Sequence, residues 1–387
     1  MKRLKYLDGL RGLMSINVLL CHFICVYYPE MYTMAWAEKY SGGTPLQIFA
    51  STPLSVLVNG NVAVQYFFVL SGFLAASSVF QKKDVDLFQS ITGRYLRLFP
   101  VVASTTFFSF LLMIFGMMFH LEISNSVRNT DFLLDYCNFT PTFGNIINNI
   151  FFKPFLSGSD YVGPFWTICY EVFGYAIVLS LCALSKEKKL RRIMYVIVVI
   201  LLRLNGQANY CSFVFGAFVA DLFNYTGPNT TWLSHIYTKW VRHKAFLIPF
   251  YIFGTYLACI PFNQTGIYSF LPSFVGVNLY RAAGIAMCLW CILNCGFAQA
   301  ILEIKPIQWL GKISFTTYAV HWPLMLSLEA GLFMVLRKCL SYDISALSAF
   351  IITIPCVLTV AYLMWRLFES NSWIDSKRKV ILNKIKG

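Results

Sequence analysis

Charge is what this chain has least of. Asp, Glu, Lys and Arg together make up 12% of its 387 residues, about half the share in an ordinary soluble domain, whereas 58% are hydrophobic. Water is therefore not its main solvent. Acidic residues number 17 and histidines only five, so any group that works by moving a proton comes from a short list. No polar stretch is long enough to read as a separate soluble domain, and there is no tandem repeat or low-complexity segment. The net charge of +14 would suit nucleic acid, but the basic residues fall in short clusters between apolar runs, not along one polar face, and this argues against a nucleic-acid partner. Twelve cysteines are present. Most lie inside apolar segments, where a thiol behaves as a small hydrophobe, so they read as free. Cys288 and Cys291 form one C-x-x-C, but no further ligands stand nearby and no metal is expected.

What is present in quantity is length of apolar run. Ten stretches approach the roughly 20 residues needed to cross about 30 Å of hydrocarbon: 7–28, 60–80, 98–119, 164–184, 190–205, 208–223, 245–262, 281–302, 313–336 and 345–367. The expected fold class is all-α, a polytopic transmembrane helical bundle of about ten helices. The fifth and sixth stretches are short, contain Arg203 and are joined by Asn205, Gly206 and Gln207, so a re-entrant pair is the alternative there. The N-terminus has the basic start of a signal peptide, but Asp8 and Arg11 interrupt its apolar run and no small-residue cleavage site follows. It is expected to remain as the first membrane helix.

Lys and Arg accumulate on alternate connections. Clusters at Lys2, Arg3 and Lys5, at Lys82, Lys83, Arg94 and Arg97, at Lys186 to Arg192, at Lys239, Arg242 and Lys244, at Lys305 and Lys312, and from Arg366 to Lys386 hold most of the 31 basic residues. The positive-inside rule then places both termini in the cytoplasm. Residues 1–370 are expected to form the membrane domain and 371–387 a basic cytoplasmic tail. The longest connection, roughly 120–163, falls outside. It is either an acceptor platform or a loop closing the outer face.

A charged group at the bilayer centre costs at least about 2.5 to 3.5 kcal/mol, so intramembrane ionisable residues are functional candidates. Asp8, Arg11 and His22, with Ser15, fall within about 60° of one another at 100° per residue, a polar stripe on the first helix. Arg11 and His22 are about 16.5 Å apart along its axis. Glu171, counted from Pro164, reaches about the same depth as His22 at 1.5 Å per residue. The two suit a general-base pair in which the carboxylate orients the imidazole and stabilises its charged form; the plainer reading is an ion pair or hydrogen bond joining two helices. His321, in Val320-His321-Trp322-Pro323, stands where the proline frees a backbone carbonyl. Alone it reads as structural; beside His22 it is a second polar group of the same cavity. Phe68 to Leu74, with Ser71 and Gly72, offers small residues for close helix contact.

Taken in order, these pieces resemble the acyltransferase 3 family of membrane enzymes. Leu7-Asp8-Gly9-Leu10-Arg11-Gly12 with His22, Phe68 to Leu74, and Arg94-Tyr95-Leu96-Arg97-Leu98-Phe99-Pro100 match its successive signatures. Trp166 to Glu171 with Tyr175, Gly311-Lys312-Ile313-Ser314-Phe315 with Tyr318, His321, Trp322 and Pro323, and finally Glu369 match those that follow. The resemblance implies transfer of an acyl group, most often acetyl, from acyl-CoA at the cytoplasmic face to a hydroxyl of a cell-envelope glycan or lipid-linked sugar, in a bacterial inner membrane. It implies Arg11 and His22 as the essential pair. Val172 stands where a second acid is frequent, Ser370 to Ser372 replace a proline, and no soluble domain is appended.

On this reading His22 and Glu171 are the catalytic candidates, His22 serving as base or as acyl carrier. Arg11, Arg94, Arg97 and Lys312 are the cations for the donor's phosphates, and Asp8, His321 and Tyr318 complete the polar site. The surroundings are membrane lipid. The competing reading is a proton-coupled secondary transporter of an anionic solute, which would also bury Arg, His and Glu but would show two related halves; no internal symmetry is detectable.

Overall fold

The computed structural model describes residues 4–32, 44–81, 85–185, 187–223 and 244–386. Of the basic residues that orient the chain, Lys2, Arg3, Lys82, Lys83, Lys186, Lys239 and Arg242 lie outside them. No strand occurs among the described residues. The principal helices are α1 (Lys5–Tyr27), α2 (Gly60–Phe80), α3 (Leu87–Ile114), α4 (Phe143–Phe151), α5 (Gly163–Leu184), α6 (Lys188–Leu204), α7 (Cys211–Phe223), α8 (Lys244–Ala258), α9 (Val277–Asn294), α10 (Lys305–Lys312), α11 (Ser314–Leu336), α12 (Tyr342–Glu369) and α13 (Ser372–Lys386).

Every one of the ten apolar stretches lies on a helix. Seven of these, α1, α2, α3, α5, α9, α11 and α12, are long and apolar enough to cross a membrane, and the chain is an all-α, polytopic membrane protein. The count of ten is approximate, because α6, α7 and α8 have 17, 13 and 15 residues and fall short of a perpendicular span. The largest boundary difference is at α3, which begins at Leu87 and carries Arg94 and Arg97 inside the helix. Pro100 lies within it as well. The basic tail is itself a helix, α13, whose Leu382 packs on Gly93 of α3.

The chain forms two compact units. The first comprises Met1–Met14, Thr33–Leu87 and Phe173–Gly311. Its α2 and α7 touch backbone to backbone: a Cβ on Gly72 would collide with the Phe213 carbonyl, so the small-residue pattern of the second stretch serves helix contact. Gln65 of α2 donates to Asn209 at 3.1 Å and accepts from Ser212. Asp221 of α7 is buried between Arg191 and Arg192 of α6, so a charge inside an apolar run is here an ion pair. Arg203 closes α6 by donating to the Val275 and Phe274 carbonyls at 2.8 and 3.1 Å. The start of α1 lies on α10 just as closely, since a Cβ on Gly12 would strike Gly311 and Leu310, and one on Gly311 would strike Asp8.

The second unit comprises Ser15–Tyr32, Phe88–Val172 and Lys312–Gly387. It contains the rest of α1, most of α3, α4, the start of α5, and α11 to α13. The 120–163 connection is a chain of short helices, His120–Ile123, Thr130–Leu134, α4 and Lys153–Leu156. Asn129 and Thr142 cap two of them by accepting from Phe132 and Asn145, the usual use of Asn and Thr at helix starts. It packs along α3. The Tyr95 hydroxyl donates to the Phe151 carbonyl at 3.1 Å, and the Tyr95 and Phe99 rings lie on Phe155 and Phe151.

Candidate active site

His22 of α1 and His321 of α11 are hydrogen-bonded, Nδ1 of the first to Nε2 of the second at 3.0 Å. The remaining nitrogen of His321, Nδ1, is 3.3 Å from the Thr317 carbonyl. A carbonyl only accepts, so His321 Nδ1 carries a proton and its Nε2 holds the lone pair. His22 Nδ1 must then be the donor. Its Nε2 is left with an unprotonated lone pair, which is what a general base or a nucleophile needs. His321 thus orients His22 as a carboxylate would. It is buried to 2% exposure, with Pro323 two residues on inside the helix.

An aromatic wall surrounds the pair. The Trp322 indole, 1% exposed, meets the His22 ring edge-on at 5.2 Å, and Phe132 lies 6.3 Å from it. Phe132 and Tyr136 pack in turn on Trp322. Both come from the 120–163 segment, which therefore contributes directly to the histidine site, while His22 keeps some accessible surface. That segment is tied internally. Asp160 accepts from Asn149 at 2.9 Å, from Asn145 at 3.3 Å, and pairs with Lys153. Partial burial pushes the Asp160 carboxyl up, but the hydrogen bonds from Lys153 and the two asparagines outweigh it and hold it below the usual carboxylate range. His120 Nε2 donates to the Tyr136 carbonyl at 3.0 Å. Burial pushes this imidazole below its ordinary value, offset only in part by that bond.

The other expected residues are placed differently. Glu171 does not reach His22; it forms an ion pair with Arg94 of α3. The expected His–Glu pair is thus replaced by a His–His pair, and Arg94 is matched to a carboxylate. The reason is the early start of α3. Counting depth from residue 98 put Arg94 on a cytoplasmic mouth, far from Glu171, whereas the helix continues back through it. The Tyr318 hydroxyl bonds to the Pro164 carbonyl and to Thr167 Oγ1 at 2.7 Å, pinning the start of α5 to α11. Asp8 and Arg11 form an i,i+3 pair at 3.7 Å in the first unit. Arg97 and Lys312 are exposed.

Three residues of this site escaped the sequence reading. Phe132 and Tyr136 lie in a connection whose path no periodicity reveals. Glu329 of α11 is 3% exposed and lines a small cavity with His321; an acid inside the ninth apolar stretch was the signal that could have found it. The twelve cysteines are unbridged, nine of them buried.

An O-acetyltransferase, PaAT-1, of Phomopsis amygdali is 22% identical over 374 residues, covering 84% of this chain and 73% of its own. No solved structure matches the chain. The profile of the acyltransferase 3 family, described as an acyltransferase domain, matches residues 4–366, and over that nearly complete span the chain belongs to that family of membrane acyltransferases.

Proposed function

We propose that the chain transfers an acetyl group from acetyl-CoA to a hydroxyl of a glycan or lipid-linked sugar, with His22 as the general base. One observation carries the reading: the hydrogen bond between His22 Nδ1 and His321 Nε2, which, with His321 Nδ1 committed to the Thr317 carbonyl, makes Nε2 the nitrogen of His22 that accepts a proton. His22 Nε2 takes the acceptor hydroxyl's proton as its oxygen attacks the thioester carbonyl. The C–S bond breaks, the thiolate leaves, and the proton passes from His22 to the sulfur, so the imidazole is regenerated and no proton is lost. Phosphates of the donor call for cations, and the exposed Arg97 and Lys312 supply them. The choice of acetyl rests on the activity in the name of the Phomopsis relative.

The reading is tested with purified protein in vesicles, labelled acetyl-CoA and panels of sugar and non-sugar alcohols. Label should enter the sugar fraction, and Arg97→Ala with Lys312→Ala should raise KM for acetyl-CoA about tenfold or more, the loss of charge-assisted phosphate contacts. Absence of hydroxyl-dependent release of the thiol would reject it.

A further inference from the structure

The chain ends on a basic helix. Over α13, Lys377, Arg378, Lys379, Lys384 and Lys386 stand against Asp375 alone, and Asp375 is itself paired with Arg378 at 3.0 Å. Only Ser370 and Asn371 separate it from α12, so it starts where a long apolar stretch has just ended. Asn371 turns the chain into the helix by accepting from the Trp373 backbone N–H at 3.0 Å.

The place of α13 relative to a bilayer follows from its two ends. The apolar stretch of α12 stops at residue 367 and that of α3 begins at 98. Ser372 is five residues past the first limit, and Gly93, on which Leu382 packs, is five residues before the second. The Gln89 amide also donates to the Leu382 carbonyl at 3.5 Å. Ser372 and Leu382 are about 15 Å apart at about 1.5 Å per residue, roughly half the thickness of the hydrocarbon core. Both ends of the helix are therefore on one side of that core. At about 7 Å beyond its edge they stand at the level of the headgroups, and α13 runs along the membrane surface, not away from it.

In that position three sides of the helix meet three surroundings. At about 100° per residue, Leu382 marks the side held by α3. Ser372, Ser376 and Asn383 fall within about 40° of one another and are exposed. Trp373, Val380 and Ile381 fall on a separate arc of about 100° and are 65%, 50% and 44% exposed. Lys377 lies inside that arc, its ammonium 5.4 Å from the centre of the Trp373 ring. Apolar side chains of this size are disfavoured in water. At headgroup level they reach the acyl boundary, where Trp is favoured, and a lysine among them buries its stem while its ammonium stays with polar groups.

We propose that α13 is an interfacial helix whose ligand is an anionic lipid surface: Trp373, Val380 and Ile381 enter at the boundary of headgroups and acyl chains, and Lys377 meets the lipid phosphates. Charge complementarity selects this occupant, since a second copy of the chain would bring the same surplus of cations to the contact. An anionic leaflet attracts a basic segment beside a membrane helix, and a neutral one lacks that attraction. The docking holds whatever group the protein transfers.

The test uses the full chain in nanodiscs of phosphatidylcholine with and without phosphatidylglycerol. Hydrogen exchange over 372–386 should be slower by about tenfold or more in the anionic discs, the effect of several cations near the surface, and added salt should remove most of the difference. Lys377→Glu should narrow it by about threefold or more. With photoreactive benzoylphenylalanine in place of Trp373, illumination should give lipid adducts, read by mass spectrometry. Equal exchange in the two kinds of disc, a Lys377→Glu difference as large as the wild-type one, or a photoadduct to a second protein chain in place of lipid would each overturn the proposal. The wild-type exchange comparison needs no substitution, so it decides the matter even where a variant fails to fold.

Discussion

An imidazole that accepts a proton at one nitrogen must have the other one committed, and at His22 the commitment comes from a second imidazole. Both histidines were legible in the sequence, as ionisable groups in apolar runs. His321 reads there as a second polar group beside His22; what was not legible is the partner of Glu171, because depth counted from the ends of apolar runs assumes that run and helix end together. At α3 they do not, and the same error sent Glu171 to His22 when its partner is Arg94. This pair gives a direct test. With one member removed, the other loses this counter-charge, a loss of about 3 to 5 kcal/mol for a fully buried pair and less here, where both side chains keep some exposure. Glu171→Gln and Arg94→Met should therefore each lower the melting temperature, and the double substitution should cost less than the sum of the two. A strictly additive thermal-unfolding cycle would remove the ion pair from the account.

At the level of elements, the existence of the helices was written in hydrophobic run length, and their close contacts in glycine placement. The glycines of Leu7 to Gly12 and of Gly311 to Phe315 read as motif letters, but in the first unit they have a packing cause, since α1 and α10 meet where no Cβ fits. Gly12→Ala should destabilise the protein by about 1 to 3 kcal/mol through overpacking, seen as a lower thermal midpoint in detergent; an unchanged midpoint would mean that the contact relaxes freely. The 120–163 segment was the least legible element, because its short helices are fixed by caps and by the Asp160 hub, with no periodic pattern to read. Its two shifted groups act in one direction. The folded segment holds both His120 and Asp160 below their ordinary values, so the unfolded chain binds protons first and stability falls with pH. For His120 the loss begins below about pH 6.5, and for Asp160 below about pH 4. Hydrogen exchange over 120–161 should accelerate as pH falls through these windows after correction for intrinsic rates, and His120→Gln should remove the upper one. Exchange that stays flat from pH 7 to 5 would contradict this.

For the whole molecule, scarcity of charge gave the membrane class and the order of motifs gave the family. The number of crossings was less clear, because α6, α7 and α8 are apolar but short. We propose from the alternation of basic clusters that both termini lie on one side, and on that reading cysteines introduced near Lys188 and near Lys377 should be labelled from the same face of sealed vesicles. Labelling from opposite faces would break the topology. The measurement that bears most directly on the account is transfer of labelled acetyl from acetyl-CoA to a sugar hydroxyl by folded, reconstituted His22→Ala protein. Loss of the base should lower the rate about 10²- to 10⁴-fold with insertion and abundance unchanged, and transfer near the wild-type rate would contradict a catalytic centre built on His22 and His321.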